Sequence, residues 1–157
     1  MHRVASGFTI FEVLIVVAIL AIVLGIGVSW FRVSNPQVYA SSLRNLILQA
    51  RFEAIRANEP VVVSWEPTLQ EFVARVAGDA QNWCSGTGRE INRTNARDLG
   101  RLTVSSTVTG TGSLVWIPSG QARDCQRGLF AEDVAEISDG RSQRTVVIGA
   151  AGRVEIR

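Results

Sequence analysis

Two hydrophobic periods divide the chain. From Phe8 to Phe31 the only polar residues are Thr9, Glu12 and Ser29, and Val13 to Val28 carries no charge. An apolar run of this length is enough for a helix to span a bilayer, which takes about 20 residues. After Ser34-Asn35-Pro36 the pattern becomes helical and one-sided: Tyr39, Leu43, Leu46, Ile47, Ala50, Ala54 and Ile55 form a stripe, with Arg44, Arg51 and Glu53 off it. Pro36 reads either as a helix stop or as a kink in one long helix. A helix running unbroken from Phe8 to Asn58 would be about 75 Å long, apolar all round at first and amphipathic afterwards. Its predicted end lies at Asn58-Glu59-Pro60.

From Pro60 onward the period shortens to that of strands. The runs 61–65, 71–76, 102–109, 113–117, 129–137, 144–149 and 153–156 read as strands, with turns at 66–70, 110–112, 138–140 and 150–152. The polar stretch from Gly78 to Gly100 reads as loop. A helix followed by runs of strands predicts an α+β fold with an antiparallel sheet.

Composition narrows the chemistry. The 157 residues are 46% hydrophobic and 19% charged, with a formal net charge of +2, too small to announce a nucleic-acid partner by charge alone. Every basic residue apart from His2 is an arginine. Schiff-base lysines and Ser-Lys dyads are therefore excluded. Once the N-terminus is removed, histidine-dependent catalysis and His-ligated zinc go as well. The chain reads as no enzyme, without metal or cofactor.

Glu12 bears on what the apolar segment is for. A cleaved signal peptide is one reading, with small residues at Gly27-Val28-Ser29 spaced for cleavage. A plain signal anchor is a second. Neither explains a carboxylate in an apolar helix, which costs roughly 2.5–3.5 kcal/mol at mid-bilayer. A free amine created at Phe8 would lie one helical turn away, on the same chain or offered by a neighbour. The basic leader favours an N-terminus in the cytoplasm.

The residues Gly7-Phe8-Thr9-Ile10-Phe11-Glu12-Val13-Leu14 resemble the N-terminal signature of type IV pilins and type II secretion pseudopilins. The resemblance implies cleavage after Gly7 by a prepilin peptidase, methylation of Phe8, and use of Glu12 in assembly. Phe11 stands where the family usually has an aliphatic residue. Further on, Ala50-Arg51-Phe52-Glu53-Ala54-Ile55 with Pro60-Val61, Trp116-Ile117-Pro118-Ser119-Gly120 and Gly152-Arg153 are similar to stretches of the GspH/FimT subfamily. The implied architecture is a pilin-like lollipop. It comprises a leader (1–7), a transmembrane and assembly helix (8–31), an amphipathic continuation (32–59) and an antiparallel β head (60–157), with the long helix packed on the sheet. The implied protein is a minor pilin or pseudopilin of the bacterial inner membrane, single-pass with its head outside the cytoplasm, later assembled into a pilus or pseudopilus. Its implied partners are other pilin subunits, the prepilin peptidase and membrane lipid.

Four candidate features follow for the head. Cys84 and Cys125 would lie where disulfides persist, and a bridge is favoured over two separate thiols. Arg89, Arg93, Arg97 and Arg101 recur every fourth residue, but among helix-poor neighbours they read as charges on a solvated loop. Some FimT-type minor pilins bind DNA through a C-terminal "GR-x-R" motif, and here Gly152 and Arg153 match while Glu155 replaces the second arginine. DNA uptake through Arg141, Arg144, Arg153 and Arg157 is thus the second functional reading, set against an exposed edge strand guarded by charges. Trp65, Trp83 and Trp116 are candidate stacking platforms, with core packing the default for the two in strands. A third reading, a secreted enzyme beginning after Ser29, would need a mechanism without histidine or lysine.

Overall fold

The computed structural model describes residues 10–30, 35–79, 81–96, 102–108, 112–149 and 151–157, with side chains in the first helix described as far as residue 23. The chain divides into two units, Met1–Val33 and Ser34–Arg157. The division separates the apolar helix from everything after it, so the amphipathic segment belongs with the strands rather than with the segment before it.

The first unit holds α1 (Ile10–Trp30), whose side chains are exposed from Ile10 to Val23. It has no polar face, because Glu12 is the one charge in its sequence. Among the described residues no helix is long and apolar enough to cross a membrane. The described side chains of α1 stop at residue 23, and in sequence the uncharged run continues to Val28.

The second unit is α+β. Helix α2 (Asn35–Ala57) begins with Pro36 in its first turn, where a missing amide donor costs nothing. It ends where Asn58 takes a left-handed conformation (φ 56°) two residues before Pro60. Tyr39, Ala40, Leu43, Leu46, Ile47, Ala50 and Ala54 are buried on its inner face. Ile55, read from the sequence as part of that stripe, is half exposed on the other side with Phe52.

Among the described residues nine strands follow: β1 (Val61–Glu66), β2 (Glu71–Val76), β3 (Glu90–Asn95), β4 (Thr103–Ser106), β5 (Leu114–Trp116), β6 (Ala122–Arg123), β7 (Asp133–Ser138), β8 (Gln143–Ile148) and β9 (Val154–Ile156). They form two antiparallel sheets, ordered β3-β2-β1-β5-β6 and β4-β7-β8-β9. α2 packs on both, and its apolar stripe meets Val61, Val63, Phe72, Trp116, Ile137, Val146 and Ile148 in one core.

The stretch from Gly78 to Gly100 is not simply a loop. It contains a 3-10 turn (Trp83–Ser85) and β3, which pairs with β2 from Glu71↔Asn95 to Arg75↔Glu90. β3 is polar because it is an edge strand whose side chains stay mostly in water, so no apolar alternation marks it. Arg89 and Arg93 do not form a helical stripe. Arg89 bonds Glu53 of α2, and Arg93 bonds Glu71 and Glu90. Arg97, Arg101 and the Gly110-Thr111 part of the predicted turn lie outside the described residues.

Candidate functional site: the edge of the C-terminal strand

The C-terminal hairpin positions the candidate arginines. β9 pairs with β8 as Val146↔Ile156, Val147↔Glu155 and Ile148↔Val154. Thr145 and Arg157 exchange both backbone hydrogen bonds, and the Gly149 amide donates to the Arg153 carbonyl. Residues 153, 155 and 157 therefore bond toward β8, while the backbone groups of Val154 and Ile156 point to the other edge of the sheet, where no strand pairs with them among the described residues.

Side chains alternate accordingly. Val154 is buried. Arg153 and Arg157 stand on the outer face, 81% and 69% exposed, with Glu155 between them. The Glu155 carboxylate lies 3.1 Å from Arg153 Nε and 3.7 Å from Arg157 Nη2. Arg144 shares its face with buried Val146 and Ile148 and donates through Nε to Gln37 Oε1 of α2 at 2.7 Å. Arg141 sits in the hairpin turn, where the Ser142 amide and then the Arg141 amide donate to the Asp139 carboxylate and hold it below the usual carboxylate range. The four candidate arginines thus divide into an outer pair, one anchor to the helix, and one at the hairpin tip.

That α2 reaches this edge is not legible in the sequence. Arg44 donates through Nε to the Val154 carbonyl at 3.4 Å, and Arg51 through Nη1 to the Gly152 carbonyl at 3.1 Å. Arg51 also lies over the Trp116 ring, 5.2 Å from its centroid. An open cleft of about 430 Å³ is left between helix and strand, lined by Arg44, Arg153, Val154, Glu155 and Ile156.

The other candidates fall elsewhere. Cys84 and Cys125 form a disulfide with Cα atoms 5.7 Å apart, joining the 3-10 turn to the turn after β6. Trp65 packs on Phe72 and Trp116 is fully buried, so neither offers a face to a ligand. Trp83 carries the Arg127 guanidinium 4.8 Å from its ring centroid. Glu12 lies in the first turn of α1. Gly7 and Phe8 lie outside the described residues. Among the described residues no group of His, Cys, Asp and Glu is placed to hold a metal ion.

A helix leading into two antiparallel sheets, with a stapled 3-10 turn and a short C-terminal hairpin tied back to the helix, can be set against known proteins. Residues 39–152 match the family model of the type II transport protein GspH, and residues 2–28 match the prokaryotic N-terminal methylation motif. The chain belongs to the GspH family. Solved structures of the following two proteins share the fold of this GspH-family chain. The minor pseudopilin EpsH from the type 2 secretion system of Vibrio cholerae is 15% identical, with a TM-score of 0.54 over 79% of this chain and 97% of that one. The type IV minor pilin FimU of Pseudomonas aeruginosa is 16% identical, with a TM-score of 0.58 over 78% of this chain and 87% of that one. At these identities the likeness is one of fold. No curated protein matches the chain in sequence.

Proposed function

We propose that this GspH-family chain is a minor pilin or pseudopilin, a structural subunit and not an enzyme, assembled into a type IV pilus or type II secretion pseudopilus. The observation that carries the reading is the methylation-motif match over residues 2–28 together with an apolar helix that leaves Ile10 to Val23 uncovered. A run of exposed apolar side chains this long requires lipid or a bundle of like helices around it. In this reading the peptidase cuts after Gly7, Phe8 is methylated, and residues 8–31 hold the chain in the inner membrane with residues 60–157 outside the cytoplasm. The helix then moves from lipid into the filament, where Glu12 meets the amine of a neighbouring Phe8. That pairing relieves the cost of a carboxylate among apolar side chains.

DNA uptake through the C-terminal arginines is the second reading, and the geometry lends it less. Glu155 already sits against both outer arginines, and Arg144 is spent on Gln37. The Glu155 charge between the two guanidinium groups subtracts from the field that a phosphate backbone would feel.

Intact mass and N-terminal sequencing of the protein from its native membrane test the proposal. A chain that begins with methylated Phe8 is expected. A chain beginning at Trp30, or an uncut Met1, overturns it.

A further inference from the structure

We propose that the free edge of β9 and the cleft beside it are a docking site for an extended acidic segment of another protein chain, which adds to the sheet as an antiparallel strand. The proposal does not depend on how the N-terminus is processed.

The backbone supplies the first half of the argument. Thr145 and Arg157 exchange two hydrogen bonds, and the next bonded positions along β9 are 155 and 153. The amides and carbonyls of Val154 and Ile156 are therefore directed away from β8. β9 closes its sheet, since the strand order ends β7-β8-β9. What lies beyond it is the open cleft of about 430 Å³ against α2. A cleft between a strand edge and a helix is the setting in which extended peptides bind by strand addition. Arg44 covers one of the four outward groups, the Val154 carbonyl, through a single bond of 3.4 Å. A carbonyl oxygen accepts two hydrogen bonds, so an incoming amide can share it.

The side chains supply the second half. Arg153 and Arg157 project from one face of β9 and are 81% and 69% exposed. Four residues apart on a strand, they are about 13 Å apart. In an antiparallel partner aligned on Val154 and Ile156, the residues opposite them are also four apart, and carboxylates there make opposite-charge cross-strand pairs. The residue between them faces Glu155 and must be uncharged. The two residues that hydrogen-bond to Val154 and Ile156 point toward α2, over apolar Val154 and Ile156, and are apolar. The occupant then has the pattern Glu-Val-Thr-Val-Glu or its equivalent. Arg44, which makes no ion pair among the described residues, adds positive charge to the cleft wall. Nucleic acid fits the cleft less well. It makes no use of the outward amide and carbonyl pairs, and its phosphates meet Glu155.

The test uses the full chain in detergent micelles and a fluorescent Glu-Val-Thr-Val-Glu peptide blocked at both ends, with binding read by anisotropy. Saturable binding is expected, lost when both glutamates are replaced by lysine. N-methylation of the two valine amides removes the peptide's donors to β9 and should weaken binding by about tenfold or more, without touching the protein. Methylation of the threonine amide, which faces the other way, should be tolerated. Ile156→Pro removes an outward donor while leaving the β8 ladder intact, and should weaken binding to a similar degree. The absence of saturable binding overturns the proposal. Binding that is indifferent to valine methylation overturns it too, because attraction would then be electrostatic only. So does a single-stranded oligonucleotide that binds at the same salt concentration where the peptide does not.

Discussion

The Arg51 guanidinium donates to the Gly152 carbonyl oxygen at 3.1 Å, across 101 positions of sequence. The contact joins the C-terminal half of α2 to the turn that leads into β9, and Trp116 lies beneath both residues. Gly152 has a φ of +73°, and a Cβ built there would stand 3.2 Å from Trp116 Cζ3 and 3.3 Å from its Cη2. Trp116 is fully buried and has nowhere to retreat. The two short motifs that the sequence offers as family marks, around Arg51 and at Gly152-Arg153, are thus two halves of one contact. Gly152→Ala should lower stability by about 2–4 kcal/mol, the sum of left-handed strain and overpacking. Urea unfolding of the full chain in micelles checks this. A loss below about 1 kcal/mol would show that the turn relaxes around the added methyl.

Tyr39 presents the opposite case, a polar group the fold does without. Its side chain is fully buried at the start of α2, and its hydroxyl has no hydrogen-bond partner among the described residues. Burial, and secondarily the charge of Glu71, push its pKa well above the ordinary phenol value. A buried hydroxyl without a partner carries its desolvation cost unrelieved. Tyr39→Phe should therefore leave stability unchanged or raise it by about 1 kcal/mol. Destabilisation by more than that would mean the hydroxyl has a bound water for a partner.

The disulfide acts on the least regular part of the head. Cys84 and Cys125 are 41 positions apart and hold a 3-10 turn that buries none of its own residues. Closing a loop of that size is worth about 4 kcal/mol in the chain-entropy account. Replacing both cysteines by serine should lower the unfolding free energy by about 2–4 kcal/mol. Reductant should lower the wild type to the same level and leave the double variant unmoved.

The parts of this fold legible in the sequence are those where burial is one-sided or complete. The α2 stripe is read from Tyr39 to Ala54 because each of those residues faces the core, and β1 and β2 are read from short, nearly continuous apolar runs. β3 was hidden because an edge strand with both faces largely wet has no apolar period, and its arginine spacing imitates a helix. Ile55 reads as part of the stripe in sequence but is half exposed, because it falls at the rim where the helix drifts from inside to outside. Neighbouring arginines in sequence also proved poor evidence for a common site. Strand alternation sends Arg144 to α2 while Arg157, beyond Thr145 in the ladder, stays outside.

Acid stability should depend on Glu53. Its carboxylate accepts hydrogen bonds from Arg56 and Arg89, in that order of effect, which pull its pKa from 4.5 to about 2. The folded value lies below the unfolded one, so the contribution is fully present above pH 4.5 and is lost as the pH falls toward 2. Glu90, bonded to Arg93, and Asp139 are shifted in the same direction and act in the same acid limb. Glu53→Gln should flatten the fall in urea midpoint between those pH values without abolishing it. A variant with an unchanged acid limb would show that Glu53 is equally well paired in the unfolded chain.

Glu155 is the residue on which the two functional readings of the β9 edge divide. Its carboxylate is shared between Arg153 and Arg157, at 3.1 and 3.7 Å. Exposed pairs of this kind are worth about 0–1 kcal/mol each, so little holds the arginines to it. Yet its charge subtracts directly from the field that a phosphate backbone would feel. Glu155→Gln removes that charge and keeps the side chain's shape. DNA retardation by the full chain at low salt should therefore strengthen by about twofold to fivefold in Glu155→Gln. Arg153→Ala with Arg157→Ala added to that variant should reverse the gain. If wild type and Glu155→Gln retard DNA equally, whatever binds DNA lies away from β9.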